Sequence, residues 1–280
     1  MEILDLLKSG IKILKENKIE FPELEVEILL SFLLKIERYK IYTERIKVDK
    51  NFVNKFLKLI EKRKKGIPIQ YITKEVYFFN TNFKIKSGIF IPRPETELLV
   101  ERIIQIYKNY FHPKKVKILD IGTGCGNIAI SLAKNIENCY VVGTDISKKS
   151  IKIAKENAIL SNVEDKVKFK YSDCFSNIDE KYEIVVSNPP YVSENDYVNL
   201  QKEIKYEPKR ALIGGEDGLK IIRKIIKNVS CFLKKNGFLV VEIGEGQKEI
   251  IEKMDLNGIE IFEFISDYSG IKRIAVFRKS

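Results

Sequence analysis

Between residues 116 and 278, short runs rich in β-branched residues alternate with stretches of helical period, and this alternation constrains the fold more than any other feature of the chain. Strands are expected at Val116 to Asp120, Tyr140 to Asp145, Val167 to Tyr171, Glu183 to Ser187, Gly237 to Ile243, Ile259 to Ile265 and Arg273 to Arg278. Helices fill most of the gaps, which calls for a doubly wound α/β sheet with crossovers on both faces. The exception is Asp267-Tyr268-Ser269-Gly270, between the last two strands. It is short enough for a hairpin and makes the final strand antiparallel.

The first 74 residues follow a different pattern. Ile3, Leu4, Leu7, Ile11 and Leu14 fall on one face of a helix. A second helix is expected from Pro22, a favoured first-turn residue, through Val26, Ile28, Leu29, Phe32 and Leu33. Asp49 can cap a third, with the stripe Phe52, Val53, Phe56, Leu57 and Ile60, ending at Gly66. Residues 1–74 therefore read as a small helical domain. Residues 75–91 read as a hairpin linker, because Val76 and Phe78, then Phe83 and Ile85, frame the turn-like Asn80-Thr81-Asn82. Residues 92–280 form the sheet domain, opening with a helix from Glu95 to about Lys108. The chain length of 280 residues agrees with a prior of about two domains.

Composition narrows function by exclusion. With 44% hydrophobic and 32% charged residues the chain can bury a core, which argues against disorder. The longest apolar stretch, Ile28 to Leu34, is interrupted by Ser31 and falls far short of the roughly 20 residues that span a bilayer. The N-terminus lacks the basic flank and apolar run of a secretory signal, so the cytoplasm is the expected compartment and no membrane partner is expected. Cys125, Cys139, Cys174 and Cys231 form no CxxC pair. The one histidine, His112, lies in a polar His-Pro-Lys-Lys connection, so no metal site, disulfide framework or histidine-based nucleophile is expected. A net charge of +11 favours polyanionic partners, but a lysine-rich composition produces the same sum. The densest basic run, Arg45 to Lys65, holds nine cations against Asp49 and Glu61. On an amphipathic helix such a run is ordinarily the solvated face, and its alternative is a partner-binding surface.

Chemistry enters where the strands end. After the first sheet strand stands Asp120-Ile121-Gly122-Thr123-Gly124-Cys125-Gly126, running into a helix from Asn127 to Lys134. Glycines at alternate positions let the backbone turn sharply and let a ligand approach the main chain at the carboxyl edge of the sheet. A dinucleotide loop would have its third glycine where Asn127 stands, which disfavours NAD. The second strand ends in Asp145, where a carboxylate can accept from two ribose hydroxyls, so a nucleoside cofactor is expected. The fourth strand ends in Ser187-Asn188-Pro189-Pro190-Tyr191. The prolines remove backbone donors and stiffen the chain, leaving the Asn188 amide oxygen and the Pro189 carbonyl to hold a planar NH2 group, with the Tyr191 ring packed against its plane.

Gly122 to Gly126, Asp145 and Asn188 to Tyr191 together resemble the class I S-adenosylmethionine-dependent methyltransferases that act on amino groups of planar substrates. Further stretches resemble one branch of them, the peptide chain release factor glutamine methyltransferases of the PrmC/HemK family: Ile91-Pro92-Arg93-Pro94-Glu95-Thr96-Glu97, Tyr206-Glu207-Pro208 with Ala211-Leu212, and Asp267-Tyr268-Ser269-Gly270 with Arg273. The resemblance covers nearly the whole chain and implies a Rossmann-like, mostly parallel seven-stranded sheet with an antiparallel last strand behind a small N-terminal helical domain. It implies S-adenosyl-L-methionine as cofactor, with Gly122, Thr123, Gly124, Cys125 and Gly126 around the methionine part, Asp145 on the ribose, Asp173 and Cys174 near the adenine, and Asn188 beside the cofactor. Asn188, Pro189, Pro190 and Tyr191 would hold the substrate, with Asn188, Pro189 and Tyr191 as the catalytic set. The implied reaction methylates the side-chain amide nitrogen of the glutamine in the Gly-Gly-Gln motif of class-1 release factors and so modulates translation termination. Many members carry tryptophan where this chain has Cys174, so adenine packing would fall to Cys174 or to Phe175, with Phe90 as a further candidate.

The alternative enzyme is a DNA or RNA amino methyltransferase that flips a base into the same Asn-Pro-Pro-Tyr pocket. No base-reading module is evident, and no stable nucleic-acid binding is expected. A non-enzymatic scaffold built on the basic helical domain has no use for the complete set of glycine loop, Asp145 and NPPY. Because every candidate chemical residue lies beyond position 89, the helical domain is expected to recognise the release factor.

Overall fold

Two helices of the N-terminal part begin where a residue removes or satisfies an orphan backbone group. In the computed structural model, which describes residues 1–280, the chain divides into two compact units. The first comprises Met1–Glu75 together with Gln201–Tyr206, and holds α1 (Ile3–Glu16), α2 (Pro22–Leu34), α3 (Lys40–Thr43), α4 (Lys50–Lys64) and α5 (Ile69–Thr73). Pro22 occupies the first turn of α2, where its missing N–H costs nothing. The Asp49 side chain accepts from the Phe52 amide at 2.7 Å and caps α4, a bond of a kind worth about 1 kcal/mol. Gly66, at φ +88°, follows its end.

The core of this unit joins Ile3, Leu6, Leu7 and Leu14 of α1 to Val26, Leu29 and Leu30 of α2 and Phe56 and Ile60 of α4. The buried stripes are rotated slightly from the expected ones. Leu4, Phe32 and Leu57 are exposed, while Leu6 and Leu30 face inward. Gly10 lets α4 approach, since a Cβ there would stand 2.7 Å from the Phe56 ring.

The basic run also differs from a simple solvated face. Arg63 is buried, bonds Glu25 through Nε and, at 3.0 Å, through Nη2, and reaches Glu203 of the Gln201–Tyr206 segment at 3.0 Å. Tyr206 adds a bond from its hydroxyl to the Lys65 carbonyl at 2.9 Å.

The second unit comprises Val76–Leu200 and Glu207–Ser280. Its hairpin pairs β1 (Glu75–Phe78) with β2 (Thr81–Lys84). The turn is Phe79-Asn80, both at positive φ, rather than Asn80 to Asn82, and Thr81 already belongs to the second strand. The hairpin groups with the sheet unit instead of standing apart as a linker. Buried Asn157 accepts from the Lys84 amide at 2.8 Å and donates to the carbonyls of Lys84 and Cys125 at 3.0 and 2.9 Å, fixing β2 to the glycine loop.

After α6 (Thr96–Ile106) and a π-helical turn at Tyr107–Phe111 come β3 (Val116–Ile121), α7 (Asn127–Asn135), β4 (Cys139–Asp145), α8 (Lys148–Leu160), β5 (Val167–Tyr171) and β6 (Tyr182–Ser187). Then follow α9 (Glu194–Asn199), α10 (Lys220–Val229), β7 (Leu233–Glu242), α11 (Lys248–Ile251), β8 (Glu260–Ser266) and β9 (Lys272–Arg278). The seven expected strands all form, in the order β5-β4-β3-β6-β7-β9-β8. Pairing is parallel from β5 to β7, and β9 runs antiparallel to both neighbours. Asp267 builds the turn before β9 by accepting from the Ser269 and Ile271 amides and from Arg273 at 2.9, 3.0 and 3.0 Å.

On one face, Ile222, Ile225, Ile226 and Val229 of α10 pack with Leu119, Ile121, Val185, Leu239 and Val241. The alternate residues Ile118, Ile184, Val186 and Val240 are equally buried, so both faces are covered, as parallel strands require. The strand order reverses between β3 and β6, which opens a crevice beyond their carboxyl ends.

Arg63 and its neighbour Lys62 give a direct test of the helical unit. Replacing Arg63 by Met strands the Glu25 carboxylate and is expected to cost ~3 kcal/mol, the low end for breaking a buried pair. Lys62→Met, at an exposed position, is expected to stay within ~0.5 kcal/mol. Urea unfolding followed by helical circular dichroism separates the two.

Candidate active site

The register of the parallel strands builds the site. Ile121 pairs with Thr144 on one side and Ser187 on the other, and Ser187 pairs with Val241. The next residue of each strand, Gly122, Asp145, Asn188 and Glu242, therefore stands in one row at the carboxyl edge. A cavity of about 350 Å³ opens there, within the sheet unit, and is walled by Gly122, Thr123, Gly124, Asn127, Asp145, Asp173, Cys174, Asn188, Pro189 and Pro190 among others. That volume lies within the roughly 300 to 1,000 Å³ of small-molecule sites.

The glycine loop is held from below. The Gly122 and Thr123 amides both donate to the Thr144 carbonyl at 2.8 Å, and the Thr123 hydroxyl donates to Asp120 at 2.6 Å. Gly122 and Gly124 have φ of +77° and +57°, and a Cβ at either would meet no atom within 4 Å. Their demand is conformational, and it leaves open space beside the backbone. Cys125 and Gly126 do not line the cavity. Cys125 is buried, and burial pushes its thiol up to about 12, so it is a packing residue without thiolate character. Burial likewise pushes the Asp120 carboxyl up to about 7.

Asp145 ties the end of β4 to this loop. One carboxylate oxygen accepts from the Gly124 amide at 2.9 Å and the other from the Ser147 amide at 2.7 Å. Burial raises its pKa, and these two bonds together with nearby Arg210 oppose the rise. A carboxylate offers about four acceptor positions, so room remains for two further donors. Arg210, which also lines the cavity, donates to the Ser147 hydroxyl at 2.9 Å.

At the other wall, Asp173 pairs with Lys224 at 2.8 Å, and this bond lowers its pKa. Cys174 is buried with φ +51°, and burial pushes its thiol up to about 11. Phe175 turns away from the cavity and stacks on Phe232 with ring centroids 4.4 Å apart. The apolar wall is instead Phe90, Ile146 and Ile221.

Phe90 is fixed by residues that the sequence presented only as parts of motifs. Buried Glu207 accepts from the Ile91 amide at 2.8 Å and from Arg93, whose guanidinium lies 4.9 Å above the Phe90 ring. The spacing Ile91-Pro92-Arg93 and the Glu207 after Tyr206 were the available signals.

Of the NPPY segment, Asn188, Pro189 and Pro190 line the cavity, but Tyr191 does not. Its ring is partly buried against the core, and its hydroxyl donates to Glu242 Oε1 at 3.1 Å. Burial first, and then the Glu242 charge, raise the Tyr191 pKa, so the hydroxyl remains a donor. Glu242 Oε2 accepts from the Thr96 hydroxyl at 2.7 Å, and Thr96 Oγ1 accepts from Asn188 Nδ2 at 3.0 Å. Burial pushes the Glu242 carboxyl up to about 7 against the pull of these donors. Neither Thr96 nor Glu242 stood out in the sequence as a site residue.

Residues 5–73 match the family described as PrmC N-terminal domain, and residues 94–216 match the Methyltransferase small domain. The chain is 39% identical over 267 residues to a release factor glutamine methyltransferase of Thermodesulfovibrio yellowstonii, an alignment covering 94% of this chain and 95% of that one. It is 38% identical over 287 residues to the protein of the same name from Fusobacterium nucleatum, covering 100% and 79%, and 36% identical over 284 residues to that of Clostridium acetobutylicum, covering 99% and 98%. The crystal structure of a ribosomal protein L11 methylase from Lactobacillus delbrueckii superposes with a TM-score of 0.50 at 21% identity over 67% of this chain and 81% of that one, a likeness of fold alone. Because the alignments to named relatives at 36 to 39% identity cover 94 to 100% of this chain, helical unit and sheet unit alike, the chain belongs to the release factor glutamine methyltransferase family.

Proposed function

We propose that this protein transfers a methyl group from S-adenosylmethionine to the side-chain amide nitrogen of the glutamine in the Gly-Gly-Gln motif of class-1 release factors. The observation that carries this reading is the state of Asn188. Its NH2 group is engaged by Thr96, Oδ1 receives no protein donor, and the residue lines the cavity. An amide NH2 group on a substrate presents two donors, and Oδ1 is an acceptor suited to one of them.

The residues present fit the cofactor. The open space beside Gly122 and Gly124 admits a chain close to the backbone, Asp145 retains acceptor capacity for ribose hydroxyls, and Phe90, Ile146 and Ile221 offer apolar contact to a base. When bound, S-adenosylmethionine supplies an electrophilic methyl on a sulfonium. An amide nitrogen is a poor nucleophile because its lone pair is delocalised, so the contribution of this chain is orientation and electrostatics. Holding the two reactants in line is worth roughly 7 to 11 kcal/mol at its upper range. Asn188 Oδ1 and the Pro189 carbonyl accept from N–H bonds that grow more acidic as the nitrogen attacks. Tyr191 enters this reading through the support its hydroxyl gives to Glu242.

The helical unit is assigned to recognition of the release factor. A single glutamine side chain offers few contacts, so discrimination among glutamines needs surface remote from the amide. Lys55, Lys58, Lys62 and Lys65 flank exposed Leu57 on one face of that unit, a surface suited to an acidic partner with an apolar anchor. Arg63 is not part of it.

Mass spectrometry of a release factor incubated with this protein and isotopically labelled S-adenosylmethionine tests the reaction, and label appearing in nucleic acid instead would favour base methylation. Asn188→Ala is expected to lower turnover by roughly 100- to 1,000-fold, the usual loss for one oriented group of this kind, with folding preserved. Asp145→Asn is expected to weaken cofactor binding by about 1.5 to 3 kcal/mol in calorimetry, since it replaces a charged acceptor by a neutral one.

A further inference from the structure

We infer that buried Glu242, acting through the Thr96 hydroxyl, sets which end of the Asn188 side-chain amide faces the substrate and thereby selects an amide over a carboxylate. The inference rests on the functional reading above, and it gives roles to two residues that touch neither cofactor nor substrate.

The argument is one of donors and acceptors. An ionised carboxylate can only accept. Glu242 receives the Thr96 hydroxyl on Oε2 and the Tyr191 hydroxyl on Oε1, so both of its oxygens are occupied by protein donors. A threonine hydroxyl has a single proton. Having given it to Glu242, Thr96 can only accept from Asn188, and only the NH2 end of Asn188 can donate. The chain of bonds therefore has one direction, from Asn188 Nδ2 through Thr96 to Glu242, and it leaves Oδ1 as the exposed end of the amide.

Reversing the amide would present NH2 to the cavity. That surface would repel the NH2 of a glutamine and welcome the carboxylate of a glutamate. A network of this polarity rejects glutamate because Oδ1 and the Pro189 carbonyl both face an acceptor-only group.

Protonating Glu242 is the natural way to reverse the chain. A protonated carboxyl can donate to Thr96, which frees the threonine proton to bond Asn188 Oδ1 in the flipped amide. The charged and titratable groups facing Glu242 are Glu95, which disfavours its ionisation, and Arg273 of β9, which favours it, beside the Tyr191 hydroxyl. Arg93 faces Tyr191. Asp267 holds Arg273. With the Glu242 carboxyl pushed up to about 7, activity should fall as pH drops through neutrality.

Thr96→Val, Thr96→Ser and Glu242→Gln test the relay. Side-chain amide NMR of Asn188 is the readout that needs no substrate. One Asn188 Hδ2 proton should exchange slowly in the wild type, rapidly in Thr96→Val, and slowly again in Thr96→Ser. With a Gly-Gly-Gln release factor as substrate, Thr96→Val should lower kcat by up to about 100-fold, as misplacement of a reacting group does, with cofactor affinity unchanged within twofold. Thr96→Ser should restore kcat to within about threefold. Glu242→Gln, which cannot ionise, should flatten the pH profile on either side of about 7. A release factor carrying Gly-Gly-Glu should bind the wild type more weakly than one carrying Gly-Gly-Gln, and Thr96→Val should narrow that difference. If Thr96→Val fails to fold, Thr96→Ser and the Glu242→Gln pH profile still decide the matter. Unchanged Asn188 exchange in Thr96→Val, or a pH profile that survives Glu242→Gln, overturns the relay. Absence of methylation by the wild type would instead sink the functional reading while leaving the amide exchange result to stand.

Discussion

Everything at the site follows from four parallel strands ending in register. Ladder hydrogen bonds fix Ile121 opposite Thr144 and Ser187, and Ser187 opposite Val241, so one row of residues emerges together at the edge of the sheet. A slip of one residue in any pair would turn a functional side chain toward the opposite face. Both faces are buried under helices, so such a slip would force two close-packed apolar layers to exchange side chains of different size and shape. The packing of the core is thus what aligns Gly122, Asp145, Asn188 and the buried Glu242 in one row.

Buried acidity is the second organising feature. Asp120 and Glu242 both stand in the sheet with no solvent access, and burial raises both carboxyls toward neutrality. The sign of their linkage to stability is the reverse of a surface carboxylate's. A native group that holds its proton more tightly than the unfolded chain contributes most stability below its unfolded pKa, and this contribution is lost as pH rises toward about 7. The fold tolerates the ionised forms because threonine and tyrosine hydroxyls donate to them.

The strands were legible because their apolar runs are long and their gaps helical, and the glycine loop, Asp145 and NPPY were legible because each follows such a run. The residues that escaped are those whose partners lie far along the chain. Thr96 meets Glu242 across 146 residues, and Glu207 meets Ile91 across 116, separations at which local pattern carries no signal. Glu242 reads in sequence as the polar end of an apolar strand. The choice between Phe90 and Phe175 was equally hidden. It depends on the left-handed backbone at Cys174, which turns the next side chain into the core. Arg63 is different, because Phe56, Ile60 and Arg63 fall at helical spacing and the arginine's inward position was there to be read beneath the surrounding lysines.

The Gln201–Tyr206 segment belongs to the helical unit although it is encoded within the sheet unit, between α9 and Glu207. The helical unit is therefore discontinuous in the gene. Deleting the first 75 codons would not excise it, but would strand a six-residue remnant carrying Glu203 without Arg63. Recombination that swaps N-terminal modules between methyltransferases would have to exchange this remnant as well. The helical unit is therefore not a module that can be cut at a single point in the chain.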